Sequence, residues 1–238
     1  MRLRDFNTLT FDVVGTLIDF EAGILGWFRP SLERYGVSKT DEEILTSFAA
    51  VEDKYQRETP EKPFTEMLPL ISRDMASGWG VRFGDTDAQS FKDSIRSWPP
   101  FPDTVEALDE LGRRYRLVAV TNADTWALDH MSANMGDPFH ERVTCDEVGV
   151  NKPNPRVFEY VVDKLAPVGV EKRDILHTAQ SQYHDIVPAS ALGFATMWIE
   201  RRQSQNGFGA TPGPERVVTP TFHAASMADF ARQVREEH

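Results

Sequence analysis

The amino-acid sequence predicts an α/β fold: a mainly parallel sheet covered by crossover helices, with an all-helical segment inserted after the first strand. Three observations carry that prediction. Residues 9–11 read as a buried strand of β-favouring side chains that ends at Asp12 and is broken by Gly15. Residues 20–99 carry apolar side chains at helical spacing and show no strand alternation of any length. From Asp103 onward strand-like and helix-like runs take turns, the pattern of parallel strands joined by helices. The expected organisation is a core of residues 1–19 and 100–238, with residues 20–99 as a helical cap.

In the cap, helices are expected over 22–35, 41–57 and 64–77, with breaks at Gly36 and around 59–63. A further helix is expected over 88–97, after the break GWGVRFGDTD. Trp98-Pro99-Pro100-Phe101-Pro102 forms a stiff link back to the core. Asp103 is placed to cap a helix running through Val105, Leu108 and Leu111 to Arg114. RLVAV, 116–120, is a buried strand ending at Thr121-Asn122, followed by a helix over 125–135 and a short strand over 143–145. The polar loop EVGVNKPNP leads into a helix over 155–165, where Pro155 suits the first turn. ILHTA, 175–179, is the next strand and ends in QSQYHD; 185–192 reads as helix and 195–199 as strand. Residues 201–215, rich in Gly, Pro, Ser and Gln, read as a mobile loop before a strand over 221–223 and an amphipathic helix over 227–235.

The formal net charge of -11 argues against nucleic acid or an anionic membrane as partner. It also means that a small anionic substrate needs a local cluster of positive groups. No apolar run reaches membrane-spanning length, and MRLRDFNTL has no apolar signal core, so a cytoplasmic location is expected. Cys145, the only cysteine, cannot form an intrachain disulfide and reads as a small buried strand residue rather than a nucleophile. The six histidines show no metal-ligand spacing, and His177 and His184 read as packing or surface residues.

Asp12 taken alone reads as an ordinary acid at a strand end. Later segments change that. Thr121-Asn122 and Gln180-Ser181 also follow apolar strand-like runs directly, and Lys152 lies in a sheet-to-helix loop. Right-handed crossovers bring all of these to the carboxyl edge of the sheet, where ligands of open α/β folds bind. A nucleophilic acid, small hydroxyl and amide donors, and a lysine then converge.

In order, DVVGTL, Thr-Asn after a strand, the lysine of NKPNP and the late aspartate of AQSQYHD resemble the signatures of the haloacid dehalogenase superfamily. The resemblance covers residues 9–15 and 102–201, with the inserted helices fitting in kind. It implies a Rossmann-like, doubly wound core with a helical cap entering after the first signature. It also implies nucleophilic attack by Asp12 through a covalent intermediate. Thr16 and Thr121 would hydrogen-bond the nucleophile or the substrate anion, and Asn122 would shape that pocket. Lys152 would hold Asp12 ionised, and Asp185 would orient Lys152. Dimers are common among such relatives, so a homodimer is an open expectation.

Phosphatases of the superfamily carry a second acid two residues after the nucleophile, where this chain has Val14, and a Gly-Asp pair where it has Ala179-Gln180. Both differences disfavour magnesium-dependent phosphoryl transfer. The resemblance then points to the L-2-haloacid dehalogenase branch, which needs no metal or other cofactor. There the aspartate displaces halide from C2 of a small 2-haloalkanoic acid, and water hydrolyses the ester to a 2-hydroxy acid. The substrate carboxylate would rest on backbone N–H groups near Thr121-Asn122 and on Lys152. Departures from that branch are Val14 and Phe158, where its members tend to have tyrosines, and Gln180-Ser181-Gln182 in place of Ser-x-Asn. These positions, with Glu52, complete the expected substrate contacts.

The halide-cradling arginine of that branch has no secure counterpart: Glu52 falls near its place, with Arg29 and Arg57 as candidates. A carboxylate would repel a leaving halide, yet Glu52 could protonate a leaving amine, as in hydrolytic opening of azetidine-2-carboxylate. The ordinary reading of Glu52 is a solvated helix face. A phosphatase and a catalytically idle binding protein stay open as rivals. For the latter, Trp27, Phe28, Phe48 and Tyr55 would line a ligand pocket, although aromatics at helical spacing are ordinarily core.

Overall fold

The computed structural model describes residues 1–203 and 207–237. Strands β1 (Thr8–Phe11), β2 (Arg116–Val120), β3 (Glu141–Val143), β4 (Ile175–Ala179), β5 (Ala195–Ile199) and β6 (Phe222–Ala224) form one sheet in the order β3-β2-β1-β4-β5-β6. Every neighbouring pair is parallel. This is the doubly wound order, in which the chain starts in the middle, builds one side and returns to build the other.

Alternate side chains of a strand point to opposite faces, so each strand feeds two layers. Leu117 and Ala119 of β2 join an apolar cluster with Leu108, Leu111, Met227 and Phe230. Val118 and Val120 join a second cluster with Val157, Val161 and Leu165. Accordingly α5 (Thr104–Leu111) and α10 (Met227–Glu237) cover one face and α8 (Pro155–Leu165) the other. β1 is buried along its whole length between β2 and β4. Asp12 therefore emerges from the centre of the carboxyl edge.

Between β1 and α5 the described residues form helices and no named strand: α1 (Phe20–Arg34), α2 (Asp41–Glu58), α3 (Phe64–Gly78) and α4 (Asp85–Asp93). The single helix expected over 88–97 is instead α4 followed by a 3-10 turn at Ser94–Ser97. There Ser94 Oγ donates to the Phe91 carbonyl and Ser97 Oγ to that of Ser94, competing for the local backbone. α2 starts with a reciprocal cap between Thr40 and Glu43 and buries Ile44, Leu45, Phe48, Ala49 and Glu52. Phe28 packs against the rings of Trp27, Trp79, Phe83 and Phe91, so these aromatics are core rather than the walls of a ligand pocket.

Other expectations need correction. Cys145 opens the one-turn helix α7 (Cys145–Val148), because β3 stops at Val143; burial pushes its thiol up to about 12. Asp103 precedes α5 but does not cap it, since its carboxylate takes the Arg201 guanidinium and the Ala228 N–H. The 201–215 segment is anchored where it is described. Arg201 Nε donates to the Thr16 carbonyl at 3.0 Å, the Ala210 N–H donates to Glu21, and Ala210 and Thr211 are buried. Residues 204–206 of that expected loop lie outside the described residues. Among the described residues, no helix is long and apolar enough to cross a membrane.

Candidate active site

Gly15 adopts a φ of 90°, a left-handed turn that folds Thr16 back over the end of β1. Thr16 Oγ1 donates to Asp12 Oδ2 at 2.6 Å and accepts the Gln180 N–H at 2.8 Å. With one proton on the hydroxyl, acceptance from Gln180 directs that proton at Asp12. The other oxygen, Oδ1, receives the Lys152 ammonium at 2.9 Å.

Lys152 is held at both ends. Asn122 Oδ1 accepts its N–H at 2.7 Å and Asn122 Nδ2 donates to its carbonyl at 3.0 Å. Its buried Nζ reaches Asp12 Oδ1 at 2.9 Å, the Val120 carbonyl at 2.9 Å and Asp185 Oδ1 at 2.6 Å. An ammonium has three donors. All three are committed within the protein, so the expectation that Lys152 also holds a substrate carboxylate is not met.

Asp185 sits in a π-helical turn, Gln182–Ile186, that runs into α9 (Val187–Ala191). Such turns re-aim side chains at functional sites. His177 of β4 brings Nε2 within 3.0 Å of Asp185 Oδ1, and its Nδ1 lies 2.9 Å from Oγ1 of Thr10, its register neighbour on β1. A Thr10 hydroxyl donating to Nδ1 leaves Nε2 as the N–H that serves Asp185.

Burial works to raise the Asp185 carboxyl, but Lys152 and His177 outweigh it and hold the group below its ordinary value. Burial likewise works to lower Lys152, and the two carboxylates outweigh it and keep the ammonium charged. Asp12 shifts the other way. Burial pushes it up, Lys152 pulls it back and Asp185 adds to the rise. The expectation that Lys152 holds Asp12 ionised by lowering its pKa is therefore corrected: burial outweighs it, and two buried carboxylates share one ammonium, with Thr16 as the second donor to Asp12 and His177 as the second donor to Asp185.

Above Asp12 the sheet edge and the inserted helices enclose a cavity of about 40 Å³, room for roughly three water molecules. The core lines it with Asp12, Val14, Asn122, Ala123, Lys152, Ser181, His184 and Asp185. The insert adds Phe20, Glu52, Gln56 and Phe64, and the anchored segment adds Ala210 and Thr211. Burial, with Asp53 and Asp12 adding to it, pushes the Glu52 carboxyl up to about 8. Burial pushes His184 down to about 4. Its Nε2 lies 3.0 Å from Gln56 Oε1 and its Nδ1 3.3 Å from Ser181 Oγ, so the neutral ring ties the insert to the core.

Of the expected substrate contacts, Val14, Asn122, Ser181 and Glu52 line this cavity and four others do not. Phe158 is on the inner face of α8, packed against Phe194 and edge-on to the His177 ring at 5.2 Å. Thr121 Oγ1 turns back to accept the Ala123 N–H. Gln182 brackets the backbone of Val218, and Gln180 faces a neighbouring cleft beside Arg201 and Arg202. Arg29 pairs with Asp41 and Arg57 with Asp53, both in exposed positions away from the cavity.

His177, His184 and Gln56 were missed as site residues. A histidine inside a strand buried on both faces was a signal. So was the step of four through Ile44, Phe48, Glu52 and Gln56, which places two polar side chains on the buried face of one helix.

Among the described residues, no group of three or more His, Cys, Asp or Glu side chains is arranged to hold a metal ion. The inner oxygens of Asp12 and Asp185 both face the Lys152 ammonium, and Val14 and Ala179 supply no ligand side chain. That donor set does not fit a hard dication, which takes oxygen ligands on most sides.

Residues 6–178 match the family model of haloacid dehalogenase-like hydrolases. The chain is 30% identical over 135 residues to the (S)-2-haloacid dehalogenase of Pseudomonas sp. (strain YL), covering 53% of this chain and 56% of that one. It thus spans little more than half the length of that relative. It is 26% identical over 174 residues to the glyceraldehyde 3-phosphate phosphatase of Methanopyrus kandleri, covering 70% of each. The solved L-2-haloacid dehalogenase of Xanthobacter autotrophicus superimposes with a TM-score of 0.80 at 18% identity, over 98% of this chain and 100% of that one, a likeness of fold. Dehalogenases and phosphatases both stand among the relatives, so the match speaks to ancestry before chemistry. On a match that runs from the first strand past Lys152 and covers well over half of its residues, the chain belongs to the haloacid dehalogenase-like hydrolases.

Proposed function

We propose that the protein is a metal-independent hydrolase in which Asp12 attacks C2 of a small 2-substituted carboxylic acid. The carboxylate displaces the leaving group to form an aspartyl ester, and water then attacks the Asp12 carbonyl carbon to release a 2-hydroxy acid. The observation that carries this reading is the setting of Asp12: one oxygen on Lys152, the other on Thr16, and Val14 at the adjoining cavity wall. Val14 can protonate no phosphate-ester leaving group, whereas displacement at carbon with a good leaving group needs no acid there. The small cavity suits a molecule of a few non-hydrogen atoms better than a sugar phosphate or nucleotide.

The test is a halide-release screen with chloro-, bromo- and fluoroacetate and both 2-chloropropionate enantiomers, with EDTA present. Single-turnover hydrolysis in ¹⁸O water is expected to place the label first in the Asp12 carboxylate. Orthophosphate release from phosphate esters, abolished by chelator, would replace this reading with a phosphatase.

Glu52 favours a second reading of the leaving group. Among the described residues no arginine lines the cavity to cradle a halide, and burial pushes the Glu52 carboxyl up to about 8, which favours its neutral form at pH 7. It is equipped to protonate a departing amine, which supports hydrolytic ring opening of an azetidine-2-carboxylate-like substrate by the same nucleophile. A ring-opening assay beside the halide screen separates the two.

A further inference from the structure

We infer that Glu52 is the acid–base catalyst of both half-reactions, giving a proton to the departing atom when Asp12 is alkylated and taking one from the water that opens the ester. The natural substrates are then small 2-substituted acids whose leaving atom needs that proton: a ring nitrogen or fluoride rather than bromide. This deepens the proposal above and rests on attack by Asp12 at carbon.

The geometry leaves Glu52 alone in that position. Three carboxyl groups line the cavity. Asp12 is the nucleophile, and Asp185 is held on one oxygen by Lys152 and His177. Among the described residues Glu52 makes no hydrogen bond or ion pair, although it is only 8% exposed. It continues the buried stripe of Ile44 and Phe48, where an apolar side chain would pack without the cost of burying a carboxyl group. The remaining candidates are committed: the Lys152 protons to protein oxygens, and the His184 ring to Gln56 and Ser181. Val14, two residues past Asp12, supplies no proton donor to the cavity.

The proton inventory closes. In the first step an Asp12 oxygen bonds to C2, the bond from C2 to the leaving atom breaks, and that atom departs with the electron pair and the Glu52 proton. A strained-ring amine reacts as its free base, its ammonium proton having gone to solvent on binding, and its nitrogen, carrying the Glu52 proton, stays tethered to the product. In the second step water bonds to the Asp12 carbonyl carbon and gives a proton to the Glu52 carboxylate. The tetrahedral adduct expels the 2-oxy group, which takes the proton left on the re-formed Asp12 carboxyl. The products are the 2-hydroxy acid and the protonated leaving group, with Asp12 ionised and Glu52 protonated as at the start. The charge on Asp12 helps to keep Glu52 protonated before attack. Alkylation removes that charge, which favours the carboxylate form when a base is needed.

The experiment compares wild type, Glu52→Gln and Glu52→Asp on 2-bromopropionate, 2-fluoropropionate and azetidine-2-carboxylate, following the Asp12 adduct by peptide mass and product by rapid quench. Glu52→Gln is expected to lose turnover on all three, but at different steps. With the bromo acid the adduct should accumulate to near one per chain, its hydrolysis slowed at least 100-fold, within the range of a lost acid–base catalyst. With the fluoro acid and the ring no adduct should form. Glu52→Asp should recover part of each rate. Hydrolysis of the Glu52→Gln adduct at the wild-type rate, or wild-type adduct formation from the fluoro acid or the ring, would overturn the role. Wild-type turnover that never labels Asp12 from ¹⁸O water would instead overturn attack by Asp12 at carbon. Adduct formation in the variant also shows that its site is folded.

Discussion

His177 Nε2 and Lys152 Nζ meet on a single oxygen of Asp185, at 3.0 and 2.6 Å. Among the described residues the other oxygen is buried without a hydrogen-bond partner. One carboxylate oxygen thus receives two donors, and this helps to hold Asp185 below its ordinary pKa while Asp12, with Thr16 as its second donor, rises. His177 therefore positions Lys152 through Asp185, without touching the cavity.

Replacing His177 with Phe removes that donor and orphans Thr10. A hydrogen bond to a buried charge is worth about 1.5–3 kcal/mol, so urea unfolding should show a loss of that size. Ester formation should slow about tenfold, the equivalent of roughly 1.4 kcal/mol, with KM little changed. A stability loss with kcat intact would make His177 purely structural.

The residues that the sequence made legible are those whose role follows from position along one strand or turn. Asp12, Thr16 and Gly15 lie within a single strand-to-turn element, and the parallel order of apolar runs brings Lys152 and Asp185 to the same edge. His177 depended on something less local. Its value comes from the register that sets it beside Thr10 and from a π-helical turn that aims Asp185 back at it. Glu52 was placed near the site by spacing, but its burial follows from the phase of α2 against the core. Phe158 was misassigned for a related reason: six residues past Lys152 the chain is already on the sheet-facing side of α8, among Val157, Val161 and Leu165. Composition misjudged the 201–215 segment, because it cannot register tertiary anchors such as the bond from Arg201 to the Thr16 carbonyl.

Removing Lys152 leaves Asp12 and Asp185 buried without their shared cation. Lys152→Met should destabilise the fold by about 3–5 kcal/mol, the usual cost of breaking a buried ion pair on one side. It should also abolish adduct formation. Lys152→Arg should not rescue either property, since a larger planar guanidinium must fit a slot where the lysine is 1% exposed. Urea titration and adduct trapping on Asp12 check both statements.

Asp124 joins the insert to the core. Its Oδ2 accepts the Thr65 N–H at 2.8 Å and Oγ1 at 2.6 Å, while Oδ1 caps α6 (Thr125–Asn134) by accepting the Ala127 N–H at 3.0 Å. Asp124→Ala should cost roughly 2–4 kcal/mol, from a lost cap and two charge-assisted bonds. Phe64, next to Thr65, lines the cavity, so loosening this start of α3 should raise KM more than it lowers kcat. Steady-state kinetics on any accepted substrate, beside an unfolding curve, tests the split.

Two groups in the cavity set opposite pH slopes on stability. Glu52 is raised from 4.5 to about 8, so its favourable contribution is complete below pH 4.5 and is lost as pH rises toward 8, because the unfolded chain ionises first. His184 is lowered from 6.5 to about 4, so its contribution is complete above pH 6.5 and is lost as pH falls toward 4. Each slope is at most about 1.4 kcal/mol per pH unit. Between pH 4.5 and 6.5 the two slopes oppose each other; between 6.5 and 8 only that of Glu52 remains, and stability should fall. Glu52→Gln removes one slope and keeps the other. The stability of wild type minus that of Glu52→Gln, from urea curves at pH 5 to about 8.5, should therefore decline steadily toward alkaline pH, at up to about 1.4 kcal/mol per unit. A flat difference would mean that Glu52 titrates as an ordinary surface carboxylate, and the neutral acid assigned to the cavity would be lost with it.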